Sequence, residues 1–300
     1  MTRPVRVGLM LSPAEDFREA ALPLFDEGVV EALEWSVDLG WGVRGVPAWA
    51  ELLLGAYGEA GRLYGHGVEF SLLSARFEER QARWLRRLER EVAERRFAHF
   101  TEHFGFMTAG RFTNGTPLPH PFTEAALAIG RERIEMLREV AGVPVGLENL
   151  ALAFGRLDVE EQPAFLEALL APSDGFLLLD VHNLYCQAFN FGLDPIELVE
   201  RYPLARARAM HVAGGRLARP RSDPQRRPFR RDGHDDHVPG AVFPLVAHAL
   251  ARCPDLEVIA LEHTDDALND DLAMARFRED FLRLRALVRE AGRAEAPDGG

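Results

Sequence analysis

The sequence predicts a single (β/α)8 TIM barrel, and three observations carry that prediction. Eight short apolar or β-branched runs recur along the 300 residues: Val5–Leu11, Val29–Val37, Val68–Leu73, Ala98–Phe106, Val143–Leu150, Phe176–Leu184, Ala207–Ala213 and Val258–His263. Longer segments with helical spacing lie between them, and strands alternating with helices pair in parallel through right-handed crossovers. The first run leads into "LMLSPAED", which lacks the glycine-rich phosphate loop of a doubly wound open sheet. Eight such units match the barrel's usual size of about 250 residues.

Taken in order, "MTRPVRVGLML" has no small-residue cleavage site and reads as a first strand, not a signal peptide. Pro13–Gly28 is ambiguous. Helices are expected over Pro47–Leu63, Glu78–Arg96, Phe122–Ala141, Glu160–Leu170, Pro195–Arg201, Ala241–Arg252 and about Asn269–Gly292. In "EERQARWLRRLEREVAERR", Trp84, Leu85, Leu88 and Val92 recur at three and four residues, so one face is apolar. No linker or repeat interrupts the pattern. Residues 1–292 are expected to form one metal-binding barrel domain, and the tail "RAEAPDGG" (293–300) to be disordered.

Composition narrows the function. Hydrophobic residues make up 47% of the chain, enough for a large core, and no run is long enough to span a bilayer. The formal charge of -12 disfavours nucleic acid and anionic membranes as partners. The chain has no lysine, which excludes Schiff-base chemistry and a phosphate-loop lysine. Two cysteines, Cys186 and Cys253, form no disulfide framework, so a cytoplasmic location is expected.

In such a barrel, chemistry sits at the C-terminal ends of the strands. Those ends are polar here. "EALEWS" carries Glu34, "FTEHFGF" His103, and "GLENLA" Glu148 and Asn149, while "GHGVEFSL" sets His66 at the start of its strand. "LLLDVHNLY" carries Asp180, His182 and Asn183, and "AMHVAGG" carries His211. "RRDGHDDHVPG" then offers Asp232, His234, Asp235, Asp236 and His237, and "IALEHTDD" offers Glu262 and His263. One histidine at a strand end is ordinarily a hydrogen-bonded core residue. Six strands ending in His, Asp or Glu converge on one small volume, where carboxylates repel unless a cation neutralises them. Mixed imidazole and carboxylate donors suit divalent iron, zinc or manganese. The candidates exceed one coordination sphere, so two or three ions are expected, with Glu148 able to bridge. Period-two alternation puts Asp180 and His182 on one face and Asn183 on the other; a bend at the strand end would bring Asn183 round instead.

Together "HGVEFSL", "EHFGF", "TPLPHPFTEAAL", "LENLA", "LLLDVHNLYCQAFNFGLDP", "HVAGG", "DGHDDHVP" and "ALEH" resemble the motif series of the MbnB/TglH-like multinuclear iron proteins, within the xylose-isomerase-like barrels. The resemblance implies two or three iron ions held by His66, His103, Glu148, Asp180, His211, Asp232, His234 and Glu262, with Asn183 at the amide position. It implies dioxygen-dependent chemistry on cysteine residues of a ribosomally made precursor peptide, usually with a small partner protein. The chain differs from the family pattern where His182 replaces the usual Asn, where Gly215 replaces the His of a Gly-His pair, and at Thr264, often acidic. The N-terminal region lacks the usual Gly-Leu-Arg opening.

With iron in place, His182 and His263 are the candidate acid/base groups. The competing readings are a metal-dependent hydrolase or nuclease, a sugar isomerase of the same barrel type, and a scaffold with a vestigial site. The Arg- and Pro-rich segment Gly214–Gly233 is either a solvated loop or a clamp for an acidic peptide, using Arg226, Arg227, Arg230 and Arg231. Cys186 is expected to be a packed small hydrophobe. His99, His120 and His248 show no partner pattern.

Overall fold

A computed structural model describes residues 4–42, 45–219 and 227–294. Eight parallel strands close a barrel in chain order: β1 (Arg6–Met10), β2 (Ala32–Ser36), β3 (Leu63–Gly67), β4 (Phe97–His103), β5 (Val145–Glu148), β6 (Phe176–Asp180), β7 (Ala207–Val212) and β8 (Val258–Leu261). Leu9 of β1 faces Leu261 of β8, and Met10 faces Glu34 of β2, so closure removes both sheet edges. Around it run α1 (Glu15–Asp26), α2 (Val37–Gly42), α3 (Ala48–Glu59), α4 (Glu79–Glu94), α5 (Glu124–Ala141), α6 (Arg156–Leu170), α7 (Val181–Phe191), α8 (Pro195–Glu200), α9 (Val242–Leu250) and α10 (Asp271–Ala294).

The large core fills the shell between strands and helices. A second, small cluster of Ala32, Tyr64, Phe176, Leu178, Ala209 and Val258 plugs the barrel interior. Side chains alternate across a strand, so the inward residue two places on from this plug is Glu34 after Ala32, His66 after Tyr64, Asp180 after Leu178 and His211 after Ala209. The barrel is therefore apolar below and acidic and basic at its C-terminal mouth.

Several elements depart from the sequence reading. The third strand is Leu63–Gly67, not Val68–Leu73, so His66 stands near its end instead of ahead of it. Its pattern, "LYGHG", hides the strand because close packing demands glycine: a Cβ at Gly65 would lie 2.6 Å from the Phe100 ring, and one at Gly67 would lie 2.8 Å from Trp84. Val68–Leu73 instead lies in the loop after β3, where the Ser71 hydroxyl accepts from the Met107 and Thr108 amides. The ambiguous Pro13–Gly28 contains α1. A hairpin, Phe106–Ala109 with Phe112–Leu118, follows β4 where no strands were expected. The sixth strand stops at Asp180, and the apolar run continues as α7 because the Asp180 carboxylate caps it, accepting from the Asn183 amide at 2.6 Å. α10 runs to Ala294, and residues 295–300 of the expected tail lie outside the described residues. No helix among the described residues is long and apolar enough to cross a membrane.

Candidate metal centre

Each barrel strand from β2 onward delivers one polar side chain to the mouth, and the donors lie close together. Four overlapping groups each offer ligand atoms all within 4.8 Å of one another: His66, His103 and Glu148; Glu148, Asp180 and His211; Glu34, His211 and Glu262; Asp180, His234 and Glu262. Glu148 is the shared member of the first two. Its Oε2 lies 3.6 Å from His66 Nε2, 3.4 Å from His103 Nε2 and 3.7 Å from His211 Nδ1.

The imidazoles are oriented from behind. Thr101 Oγ1 donates to the Gly65 carbonyl, so it accepts from His66 Nδ1 at 2.9 Å. The Gly67 carbonyl can only accept, so His103 Nδ1 donates to it at 3.3 Å. Both neutral rings therefore turn an Nε2 lone pair toward Glu148 Oε2, an arrangement that needs a cation or a proton between them. His211 is turned the other way. The Glu34 carboxylate holds its Nε2 at 2.9 Å, leaving Nδ1 to face Glu262 Oε2 at 3.2 Å. Glu34 comes from a polar strand end but lies outside the ligand set that family resemblance assigned; pairing with His211 across the barrel is what reveals it.

Burial makes this centre costly without a metal. Glu148 Oε2, Asp180 Oδ2, Asn183 Oδ1, His211 Nδ1 and Glu262 Oε2 are buried with no hydrogen-bond partner. Burial pushes the Glu148 carboxyl well above its ordinary range, and the Asp180 charge adds to this. Burial does the same to Asp180, reinforced by Asp232. Burial lowers His66 and His103. It opposes the charge on His211 and His234 too, but carboxylates prevail: Glu262 and Glu34 raise His211, and Asp232 with Glu262 raises His234 to about 10. A metal-free centre thus holds protons where a metal would sit. The residues fit a cluster of divalent ions with mixed nitrogen and oxygen donors.

The remaining predicted residues fall into place unevenly. Asp232 Oδ1 lies 2.7 Å from His234 Nε2 and accepts from His182 Nδ1 at 3.1 Å. The question of His182 against Asn183 resolves through the helix. Both sit in the first turn of α7, and both reach the centre: Asn183 Nδ2 donates to Glu148 Oε1 at 3.0 Å, while His182 reaches Asp232. Asn149 clamps the end of β6, accepting from the Asp180 amide and donating to its carbonyl. His263 is not brought to the cluster. Its Nδ1 bonds the Thr264 carbonyl, its ring packs on Phe277, and it lines a side pocket of about 120 Å³ with Arg216 and Arg276. Asp235 and Asp236 line the same pocket. His182 and Gly215, two of the family departures, are neighbours: a Cβ at 215 would lie 3.3 Å from His182 Cε1.

Of the arginine-rich segment, Arg226 lies outside the described residues. Arg227 bonds the Phe189 carbonyl, Arg230 bonds the Gly215 carbonyl and stacks on Tyr185, and Arg231 pairs with Asp235. These three are engaged within the chain.

Comparison with known proteins bears on the fold and the family. The barrel resembles solved structures of an L-ribulose 3-epimerase (14% identity, TM-score 0.58, covering 99% of this chain and 100% of that one) and of endonuclease IV from Thermus thermophilus (18%, 0.56, 95% and 99%). At that identity the likeness shows the fold alone, the closed (β/α)8 barrel. A UPF0276 protein of Caulobacter vibrioides is 31% identical over 212 residues, covering 69% of this chain and 71% of that one. One from Acaryochloris marina is 29% identical over 216 residues, covering 71% and 74%. The family model described as "RiPP precursor modification enzyme MbnB/TglH/ChrH" matches residues 48–277, which span every candidate ligand except Glu34. The chain therefore belongs to the MbnB/TglH/ChrH family of RiPP precursor modification enzymes.

Proposed function

We propose that this protein is a multinuclear non-haem iron oxidase that modifies cysteine residues of a ribosomally made precursor peptide. The observation that supports it best is the convergence of unpartnered, pre-oriented donors on Glu148, in a chain of this family. His66, His103 and Glu148 would hold one ion; Glu148, Asp180 and His211 a second; Asp180, Asp232, His234 and Glu262 a third. Iron bound there would supply electrons for dioxygen reduction and Lewis acidity that favours a substrate thiolate. The chain's own residues orient that chemistry. Thr101, the Gly67 carbonyl and Glu34 fix the three imidazoles, and Asn149 fixes the backbone that carries Asp180.

Access is one-sided. His66, Glu148, Asp180 and His211 are shut away, whereas the side chains of His103, His234 and Asp232 keep 15%, 19% and 22% exposure. A peptide thiol would approach over that rim, where a small partner protein could complete the binding surface. Two free cysteines suit a reducing cytoplasm.

Metal content after anaerobic purification, measured by elemental mass spectrometry with Asp180→Ala alongside, tests the reading. Two or three irons per chain, diminished in the variant, with dioxygen uptake on a cysteine-bearing precursor peptide, is the expected result. Zinc or manganese without such uptake would redirect the assignment to hydrolysis or isomerisation.

A further inference from the structure

We infer that His182, held by the buried Cys186 thiol, is the positioning residue for Asp232, so that a Cys186–His182–Asp232 chain of hydrogen bonds sets one face of the metal centre. This rests on the proposed metal-binding role of the centre, and it concerns two residues that role leaves unused, His182 and Cys186. His182 and Cys186 stand one turn apart on α7, on the same face. Both are fully buried. Cys186 Sγ lies 3.7 Å from His182 Nε2, and His182 Nδ1 lies 3.1 Å from Asp232 Oδ1.

The direction of the chain follows from the groups themselves. A carboxylate only accepts, so His182 Nδ1 carries the proton that points at Asp232. In that Nδ1–H tautomer Nε2 accepts, and the thiol donates to it. Burial and the charge of Asp232 keep that thiol protonated, which agrees with a donor role. The ring is also walled in. A Cβ at Gly215 would lie 3.3 Å from His182 Cε1 and 2.8 Å from the Arg231 carbonyl, so a side chain there would crowd the imidazole.

This arrangement answers a problem posed by the topology. The other proposed ligands on β3 to β7 are fixed by the barrel's hydrogen-bonded ladder. Asp232 lies in irregular chain between the short strand Phe229–Arg230 and α9. Its carboxylate needs an anchor on a rigid element, and the first turn of α7 supplies one. A ligand whose orientation depends on such an outer bond typically loses about 10- to 100-fold in metal affinity when the bond is removed.

The test uses the full chain and cobalt(II) alone, titrated anaerobically and followed by visible absorption and by bound metal per chain. His182→Asn keeps an N–H donor at the place of Nδ1; His182→Leu removes it; Cys186→Ala removes the thiol donor. Expected are near-wild-type binding for His182→Asn, about 10- to 100-fold weaker binding of one ion for His182→Leu with a changed spectrum, and a smaller loss in the same direction for Cys186→Ala. Metal-free melting curves of the variants establish that each is folded. Equal affinity and unchanged spectra in His182→Leu overturn the role. So does an Asn variant as weak as the Leu variant, because the ring's shape and not its donor would then matter. A wild type that takes up no cobalt overturns this role and the metal-centre reading together. Cobalt binding as expected, with no dioxygen uptake by the iron protein, sinks the oxidase assignment and leaves the positioning role standing.

Discussion

Replacing Glu148 by Gln should change the stability of the metal-free and metal-loaded protein in opposite directions. Metal-free, Glu148 is a buried acid whose carboxyl is pushed well above its usual range by burial and by Asp180. Gln keeps the acceptor that Asn183 Nδ2 uses at 3.0 Å, and its amide nitrogen replaces the oxygen lying 3.6 and 3.4 Å from the His66 and His103 lone pairs. In the metal-free wild type the raised carboxyl must take up a proton before it can donate to either ring, whereas the amide donates with no proton to take up. Relieving one buried polar conflict is worth about 1–3 kcal/mol. For a chain of this length, unfolding entropy of about 0.6 kcal/mol/K converts this into a rise of about 2–5 °C in Tm. With metal, the sign reverses. Wild type at about 1,000-fold excess over Kd would gain about 4 kcal/mol per ion, and the variant would forfeit the share that Glu148 Oε2 would carry as a ligand. The assay is differential scanning calorimetry after chelation and dialysis, then with added ferrous iron under argon. A lower Tm for metal-free Glu148→Gln, or an equal metal-induced rise in both proteins, would refute the reasoning.

Other perturbations separate the outer supports from the fold. Thr101→Val preserves shape but leaves the His66 Nδ1–H unpaired; metal affinity should fall about tenfold by competition against a chelator. His99 is buried between Tyr64 and Phe176 with neither nitrogen bonded, and burial lowers it to about 3. A depressed histidine stabilises above its unfolded value and that stability is lost as pH falls. Urea unfolding should therefore show His99→Phe less sensitive than wild type between about pH 6.5 and 3, by several kcal/mol at most. Asp280 behaves in the opposite sense. Burial raises it to about 6, so its contribution is full below about pH 4 and lost as pH rises to 6. Asp280→Asn, which can still accept from the Val238 amide, should be more stable than wild type at pH 7 by up to about 3 kcal/mol in the same assay.

Much of the barrel was legible in the chain because buried parallel strands and amphipathic helices write their periods directly into sequence. The eight-unit order follows from that pattern, and His103, Glu148, Asp180 and His211 could be placed at strand ends from the residues alone. The boundaries that failed have two physical causes, close tertiary contact at β3 and a local helix cap at the end of β6. Gly65 and Gly67 break the apolar signal of β3 because Phe100 and Trp84 press on the backbone there. The run through Leu184 reads as strand, yet the Asp180 cap turns it into helix.

Residue identity alone determined that the mouth would be crowded with imidazoles and carboxylates, and that lysine chemistry was excluded. Only the closed barrel decided which atoms meet. Glu34 and His211 are far apart in sequence but face each other because strands β2 and β7 both point inward at one level. His263 is adjacent to Glu262, yet its ring turns away onto Phe277, because successive side chains of an extended chain point to opposite faces. Hydrogen-bond direction, which fixes the lone pair of each histidine and the role of His182, is a property of pairs brought together by folding. It is absent from any single stretch of chain.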